Sequence, residues 1–198
     1  ILLPIDSINC VTILVMIKTG SKYENKKTNG VSHFIEHMLF KGTKNIPSAL
    51  KISQAVEGVG GITNAFTSKE NTAYYIKSSS NNIELSLDVL SDMLQNSKFS
   101  QAEIEKERGV ILEELNLYED TPARKITDIY EGLLYGDTPM GWDVGGQKEV
   151  IKKIKREDFL TYLSSLYSSD NITVVVAGDF VSEKVKTLIG KFFGKMSK

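Results

Sequence analysis

Two histidines and a glutamate lie close together in a segment that could bind a metal ion. His33 and His37 are the only histidines of the chain, four positions apart, and Glu36 directly precedes the second. Residues four apart are neighbours on one face of an α-helix, so both imidazoles can reach one zinc ion at roughly 2.0–2.1 Å. The order His-x-x-Glu-His is a recognised zinc arrangement, and it predicts metal-assisted hydrolysis with Glu36 beside the bound water.

The helix that must carry these side chains is predicted over 31–41 by its periodicity. At about 100° per residue, His37 falls about 40° from His33, and Glu36 lies about 60° to the other side. The opposite arc is apolar and contains Phe34, Ile35, Met38 and Leu39. An arbitrary histidine pair at this spacing is more often a solvated surface pair. The glutamate between the two rings is what favours a metal site.

A third protein ligand is needed, because a catalytic zinc ion takes three protein ligands and keeps one position open. There is no other histidine, and the single cysteine, Cys10, lies in an apolar run where we expect it to fill the core. The ligand should therefore be a carboxylate. The predicted helix 101–118 has Glu107 and Glu114 inside its apolar arc, where an unpaired carboxylate is costly. Glu107 and Glu114 are roughly 10 Å apart along the helix axis, so they should not both bind one ion. One should bind the metal and the other should orient a histidine. The residues alone leave open which glutamate has which role.

The surrounding elements predict an α+β fold, a layered domain with a mostly antiparallel sheet packed against several helices. Strands are predicted over 10–19, 62–67, 71–77 and 171–178. Further helices are predicted over about 48–58, 81–96, 121–134, 156–167 and 181–194. Strands separated by two or more helices argue against a strict βαβ repeat.

Composition excludes several classes of function. The chain of 198 residues has a formal net charge of −1, which gives no basic surface for nucleic acid or an anionic membrane. No apolar run is long enough to span a bilayer, and one cysteine excludes an internal disulfide framework. The chain opens at Ile1, which we interpret as a truncated N-terminus, and we expect a cytoplasmic location.

Two motifs together resemble the pitrilysin/insulinase family of zinc metallopeptidases. They are His-Phe-Ile-Glu-His at 33–37 and Glu-Arg-Gly-Val-Ile-Leu-Glu-Glu at 107–114, with 76 residues between His37 and Glu114. That spacing is similar to the family's, and it implies Glu114 as the third zinc ligand. The resemblance also implies Glu107 as a site residue that holds a ligand in place. The branch that looks nearest is the mitochondrial-processing-peptidase-like one.

The resemblance extends to 60–75, Gly-Gly-Ile-Thr-Asn-Ala-Phe-Thr-Ser-Lys-Glu-Asn-Thr-Ala-Tyr-Tyr. In the family, this segment is an edge strand that binds the substrate backbone by strand addition. Carried over, Asn64, Ala65 and Phe66 would contact the peptide. The alternative is an ordinary strand and turn with no substrate role.

The resemblance implies a zinc-dependent endopeptidase of extended or unfolded peptides, with one zinc ion per domain and Glu36 activating a zinc-bound water. Residues 1–198 would be a single N-terminal zinc-binding domain, and the second, homologous C-terminal domain is absent from this chain. We expect that half either in the same chain or in a partner subunit, which would give a homo- or heterodimer. We also expect it to be needed for full activity. The alternative is a non-catalytic assembly or partner subunit. A purely structural zinc site is less favoured, since such sites prefer four closed, cysteine-rich ligands.

Overall fold

The computed structural model describes residues 1–196, and its centre is a five-stranded sheet. The strands are β1 (Leu2–Pro4), β2 (Cys10–Ile17), β3 (Ile62–Thr67), β4 (Thr72–Ser79) and β5 (Ile172–Gly178). Their spatial order is β1-β5-β2-β4-β3, and only the β1–β5 pair is parallel among the described residues. The predicted α+β fold with a mostly antiparallel sheet is thereby confirmed.

The helices follow the predicted order with ends that shift by one or two residues. They are α1 (Val31–Leu39), α2 (Ala49–Glu57), α3 (Ile83–Asn96), α4 (Gln101–Glu119), α5 (Pro122–Tyr135), α6 (Lys148–Ile151), α7 (Arg156–Leu166) and α8 (Ser182–Phe193). The start of the chain, which we interpret as part of a strand, contains β1. Helix α6 was not among the predicted elements, because its four residues are too few for a hydrophobic period to show in the sequence.

The core lies between the sheet and the helices. Strand β2 alternates strictly, and its buried residues are Val11, Ile13, Val15 and Ile17. Helix α1 turns its apolar side to this layer and buries Phe34, Ile35, Met38 and Leu39. Burial of these side chains fixes the rotation of α1, so its two histidines must project from the other side. Cys10 differs from the expectation: it starts β2 on the alternate face and is half-buried rather than a core residue.

No helix among residues 1–196 is both long and apolar enough to cross a bilayer.

Candidate metal centre

Helix α1 is held at its first turn by a carboxylate from the preceding loop. Gly30 starts the helix with φ of 92° and has no side chain to cap it. Glu24 replaces the cap: its Oε2 accepts the Gly30 N–H at 2.7 Å and its Oε1 accepts the Ser32 N–H at 2.8 Å. Its negative charge also suits the positive end of the helix. Glu24 is only 5% exposed, and burial raises the pKa of its carboxyl group. The sequence showed it only as one polar loop residue among several.

Three of the predicted site residues converge in the folded chain. His33 Nε2 and His37 Nε2 lie 3.2 Å apart, and Glu114 Oε2 lies 3.8 Å from the first and 3.4 Å from the second. The residues come from α1 and from the far half of α4, which packs against α1. No other group of three or more His, Cys, Asp or Glu residues suited to a metal ion occurs in the described part of the chain.

The spacing of these atoms fits a zinc ion. Ligands at roughly 2.0–2.2 Å from a tetrahedral ion stand roughly 3.3–3.6 Å from one another. The three distances of 3.2, 3.4 and 3.8 Å bracket that range. Two imidazole nitrogens and one carboxylate oxygen are also a ligand set that catalytic zinc sites use, with the fourth position left open.

The charges of His33, His37 and Glu114 depend on one another. Burial, and then the neighbouring charge of His37, lower the pKa of His33 to about 4. Burial also disfavours the charged form of His37, but hydrogen bonds and charges from Glu107 and Glu114 outweigh it and raise its pKa to about 9. The hydrogen bond from His37, helped by the one from Tyr118 and by the charge of His33, lowers the pKa of Glu114 to about 2. Near neutral pH, one proton therefore stays on His37 where a metal would bind.

Glu107 lies on the other side of the His37 ring from Glu114. Its Oε1 accepts from His37 Nδ1 at 2.9 Å, and its Oε2 pairs with Lys41 Nζ at 2.6 Å. The side chain is almost fully buried. Burial alone would raise the pKa of Glu107, but the bonds from His37 and Lys41 outweigh it and hold the pKa below its ordinary value. A carboxylate in this position fixes the tautomer of His37 with Nε2 free to bind metal.

Glu36 lies beside the cluster and is tied to the edge of the sheet. Its Oε2 accepts a hydrogen bond from the Thr67 hydroxyl at the end of β3. Burial raises the pKa of Glu36, and the Thr67 hydrogen bond offsets this only in part. A carboxylate with a raised pKa is a better proton acceptor for catalysis near neutral pH.

Tyr118 and Lys41 join the site without having been predicted. The Tyr118 hydroxyl donates to Glu114 Oε1, the oxygen that faces away from the histidines. Tyr118 is four residues after Glu114 on α4, a spacing that could have identified it.

Nδ1 of His33 is buried and lacks a hydrogen-bond partner within residues 1–196. His37 is therefore the ring that this chain orients by a carboxylate.

Strand β3 forms one border of the sheet, next to the cluster. Among the described strands it pairs only with β4, so its other edge is not paired with a strand. Asn64 and Phe66 are exposed, and Ala65 faces the helical side and packs against the core. The Ala65 N–H donates to the Asn64 side chain at 2.8 Å. The structure thus places the three predicted substrate-binding residues on a border strand that ends at Thr67, the partner of Glu36.

Comparison with known proteins decides the family. The family model described as Insulinase (Peptidase family M16) matches residues 2–142, which include the whole cluster. The chain belongs to this peptidase family. A second model, described as Peptidase M16 inactive domain, matches residues 153–198. The family predicted from the two sequence motifs is confirmed, and the family and its zinc-protease members imply zinc as the metal.

Individual relatives agree with this assignment. The chain is 37% identical over 188 residues to the uncharacterized zinc protease YmxG of Bacillus subtilis (strain 168), covering 95% of this chain and 46% of that protein. It is 38% identical over 189 residues to the mitochondrial-processing peptidase subunit beta of Rattus norvegicus, covering 96% and 38%. Among solved structures, a protease from Helicobacter pylori superposes with a TM-score of 0.94 at 28% identity, covering 100% of this chain and 48% of that one. The chain thus spans less than half the length of the relatives it matches.

Proposed function

We propose that this chain is the zinc-binding half of an endopeptidase that hydrolyses extended or unfolded peptides. The observation that carries the proposal is the convergence of His33, His37 and Glu114 within coordination reach of one ion, with Glu36 beside them. The zinc-protease and processing-peptidase names of its relatives support the same chemistry.

In the proposed mechanism, His33, His37 and Glu114 would hold zinc, and the ion would supply Lewis-acid chemistry for the scissile carbonyl and for water. Glu36 takes a proton from the attacking water and passes it to the leaving amine. Its raised pKa and its hydrogen bond from Thr67 support this role, because they tune and orient the carboxylate. Glu107 acts on His37 and not on substrate, by keeping Nε2 turned towards the metal.

The unpaired edge of β3 is proposed to bind the substrate backbone. An extended peptide can add to such an edge by main-chain hydrogen bonds, whereas a folded helix cannot. Ala65 would offer its N–H once the Asn64 side chain moves aside, and Phe66 would contact a substrate side chain. Because β3 ends beside Glu36, a peptide on this edge runs towards the proposed catalytic base.

The proposal includes a second, homologous half. Relatives are more than twice as long as this chain, and one solved structure is described as the first half of the periplasmic protease PqqL from Escherichia coli. Residues 1–198 are proposed as one domain that works with another such domain, in the same polypeptide or as a partner subunit. The expected cytoplasmic location stays a prediction.

Removal of the metal tests the proposal directly. The complete enzyme, supplied with its second half, should cleave a denatured reporter peptide, lose that activity on dialysis against a zinc chelator, and regain it with about one zinc ion per catalytic domain. Cleavage products identified by mass spectrometry should come from internal bonds. A chain that binds zinc tightly but cleaves nothing with its partner present would contradict the endopeptidase and favour the non-catalytic subunit.

Replacing the carboxylate behind His37 should weaken metal binding without abolishing it. Glu107→Gln removes the charge that holds the ring, so we expect zinc affinity to fall by about 10- to 100-fold. A competition titration against a chromophoric chelator measures this. The matched control is Glu113→Gln on the same helix, where the side chain is exposed and the affinity should not change. Equal affinity in wild type and Glu107→Gln would exclude the orienting role.

Zinc affinity should depend on pH through His37. Below its pKa of about 9 the His37 ring carries a proton on Nε2, the nitrogen that must be free for metal, whereas His33 and Glu114, with pKa values of about 4 and 2, are already deprotonated. One proton is therefore released per zinc ion, and the affinity should rise about tenfold per pH unit between about pH 5 and 9. Chelator competition at pH 6, 7 and 8 measures the slope. Affinity independent of pH over this range would contradict the prediction.

A further inference from the structure

A cavity of about 350 Å³ opens beside the metal cluster, on the side of α5. His33 and Thr67 border it from the cluster, and Tyr118 and Arg124 border it from α4 and α5. It is large enough for one amino-acid side chain, and its lining includes His33, a proposed metal ligand. A group bound there would sit next to the reacting atoms.

Arg124 is fixed over this cavity by an aromatic ring. The centre of its guanidinium group lies 4.4 Å from the centroid of the Tyr118 ring, a cation–π distance. The hydroxyl of the same tyrosine donates to Glu114. The stack therefore links the position of Arg124, which is exposed, to a proposed metal ligand.

No carboxylate of residues 1–196 lies within ion-pair distance of Arg124. Two acids do border the cavity, but both have other partners. Lys125 Nζ lies between Asp128 and Asp143, 3.9 Å from an oxygen of each, and Asp143 also accepts the Gly145 N–H at 2.8 Å. Arg124 is therefore the charged side chain at the cavity without an ion-pair partner among residues 1–196, and a guanidinium fork suits a planar, bidentate carboxylate.

We propose that Arg124 is a specificity-determining residue that binds a carboxylate of the peptide substrate in this cavity. The inference rests on the proposed peptidase function and adds its substrate class: peptides with an acidic group at the position that enters the cavity. That carboxylate can belong to an Asp or Glu side chain or to the C-terminus of a short peptide. A basic side chain bound by Asp128 and Asp143 is the competing outcome.

The test compares peptides that differ at one position. Cleavage sites are first mapped by mass spectrometry on the complete, zinc-loaded enzyme, and Glu, Gln and Lys are then placed in turn at each position around the bond. The wild type should cleave the Glu peptide with kcat/KM about 10- to 100-fold above the Gln peptide at one position, the size expected for a hydrogen bond to a charged group. Arg124→Glu should reverse the order in favour of Lys. Lys153→Glu reverses the charge of an exposed lysine that does not border the cavity, and it should leave the order of the peptides unchanged. Matched peptides with free and amidated C-termini separate the two sources of the carboxylate.

Identical rankings in wild type and Arg124→Glu would overturn the inference, as would a wild-type preference for Lys. A binding measurement distinguishes failure of this inference from failure of the peptidase proposal. If no peptide is cleaved, anisotropy of labelled Glu, Gln and Lys peptides on the zinc-loaded Glu36→Gln enzyme still applies, and equal affinities there would exclude carboxylate recognition. Zinc content is measured for every variant, so that an effect through Tyr118 and Glu114 shows as lost metal and not as changed specificity.

Discussion

Glu36→Gln should abolish peptide cleavage by the complete enzyme while its zinc content stays at about one ion per catalytic domain. The carboxylate is not one of the three converging ligand atoms, and its nearest partner is the Thr67 hydroxyl. Glutamine has the same shape and can still accept from Thr67, but it cannot take a proton from water. General-base catalysis contributes about 10²- to 10⁴-fold, so kcat should fall by at least that range with little change in KM.

Glu57→Gln is the matched control, because that carboxylate is exposed at the end of α2, away from the cluster. It should keep wild-type kcat. Zinc is quantified in each purified protein by elemental analysis. Retained full activity in Glu36→Gln would remove this residue from the base role, and loss of zinc together with activity would make it a ligand instead.

Glu114→Gln should lose the metal. The ionised Glu114 is the only anionic member of the converging set, with a pKa of about 2. A neutral amide oxygen is a weaker zinc ligand, and the two protonatable histidines alone leave the ion under-coordinated. We expect zinc affinity to fall by more than the 10- to 100-fold typical of losing an outer partner, and activity to disappear with it.

The neighbouring Glu113→Gln provides the same chemical change one residue earlier on α4, where the side chain is exposed. It should bind zinc as the wild type does, and His33→Ala should behave like Glu114→Gln. Chelator competition gives the affinities, and thermal unfolding with and without zinc gives an independent check, because a ligand that binds only the folded state raises Tm. A Glu114→Gln protein with unchanged affinity would exclude Glu114 as a ligand.

These two variants separate two kinds of loss. Glu36→Gln should retain metal without activity, and Glu114→Gln should lose metal and activity together. A purely structural zinc site would give the second result but not the first, since removing Glu36 would then leave the function unchanged. A non-catalytic subunit would have no activity to lose in either.

The local chemistry of the site could be predicted from the residues alone. Histidines at i and i+4 must share a helix face, and Glu36 must lie near them, because the period of the helix fixes these directions. The apolar residues of α1 and β2 likewise predicted which side of each element is buried. Glu107 and Glu114 stood out because carboxylates in an apolar arc need partners. Their separate roles remained open on residues alone, and only the resemblance distinguished them.

Contacts that depend on long-range packing became visible only in the folded chain. Glu114 lies on the Nε2 side of His37 and Glu107 on the Nδ1 side. The reason is that α4 packs against α1 and carries the two glutamates about two turns apart. The loop before α1 also makes Glu24 the cap of that helix, and the turn between α4 and α5 sets Arg124 over Tyr118 beside a cavity. No helix or strand period predicts these contacts, since they join different elements or cross a loop. The spacing of residues fixes which side chains share a surface, and only the packed chain fixes which surfaces meet.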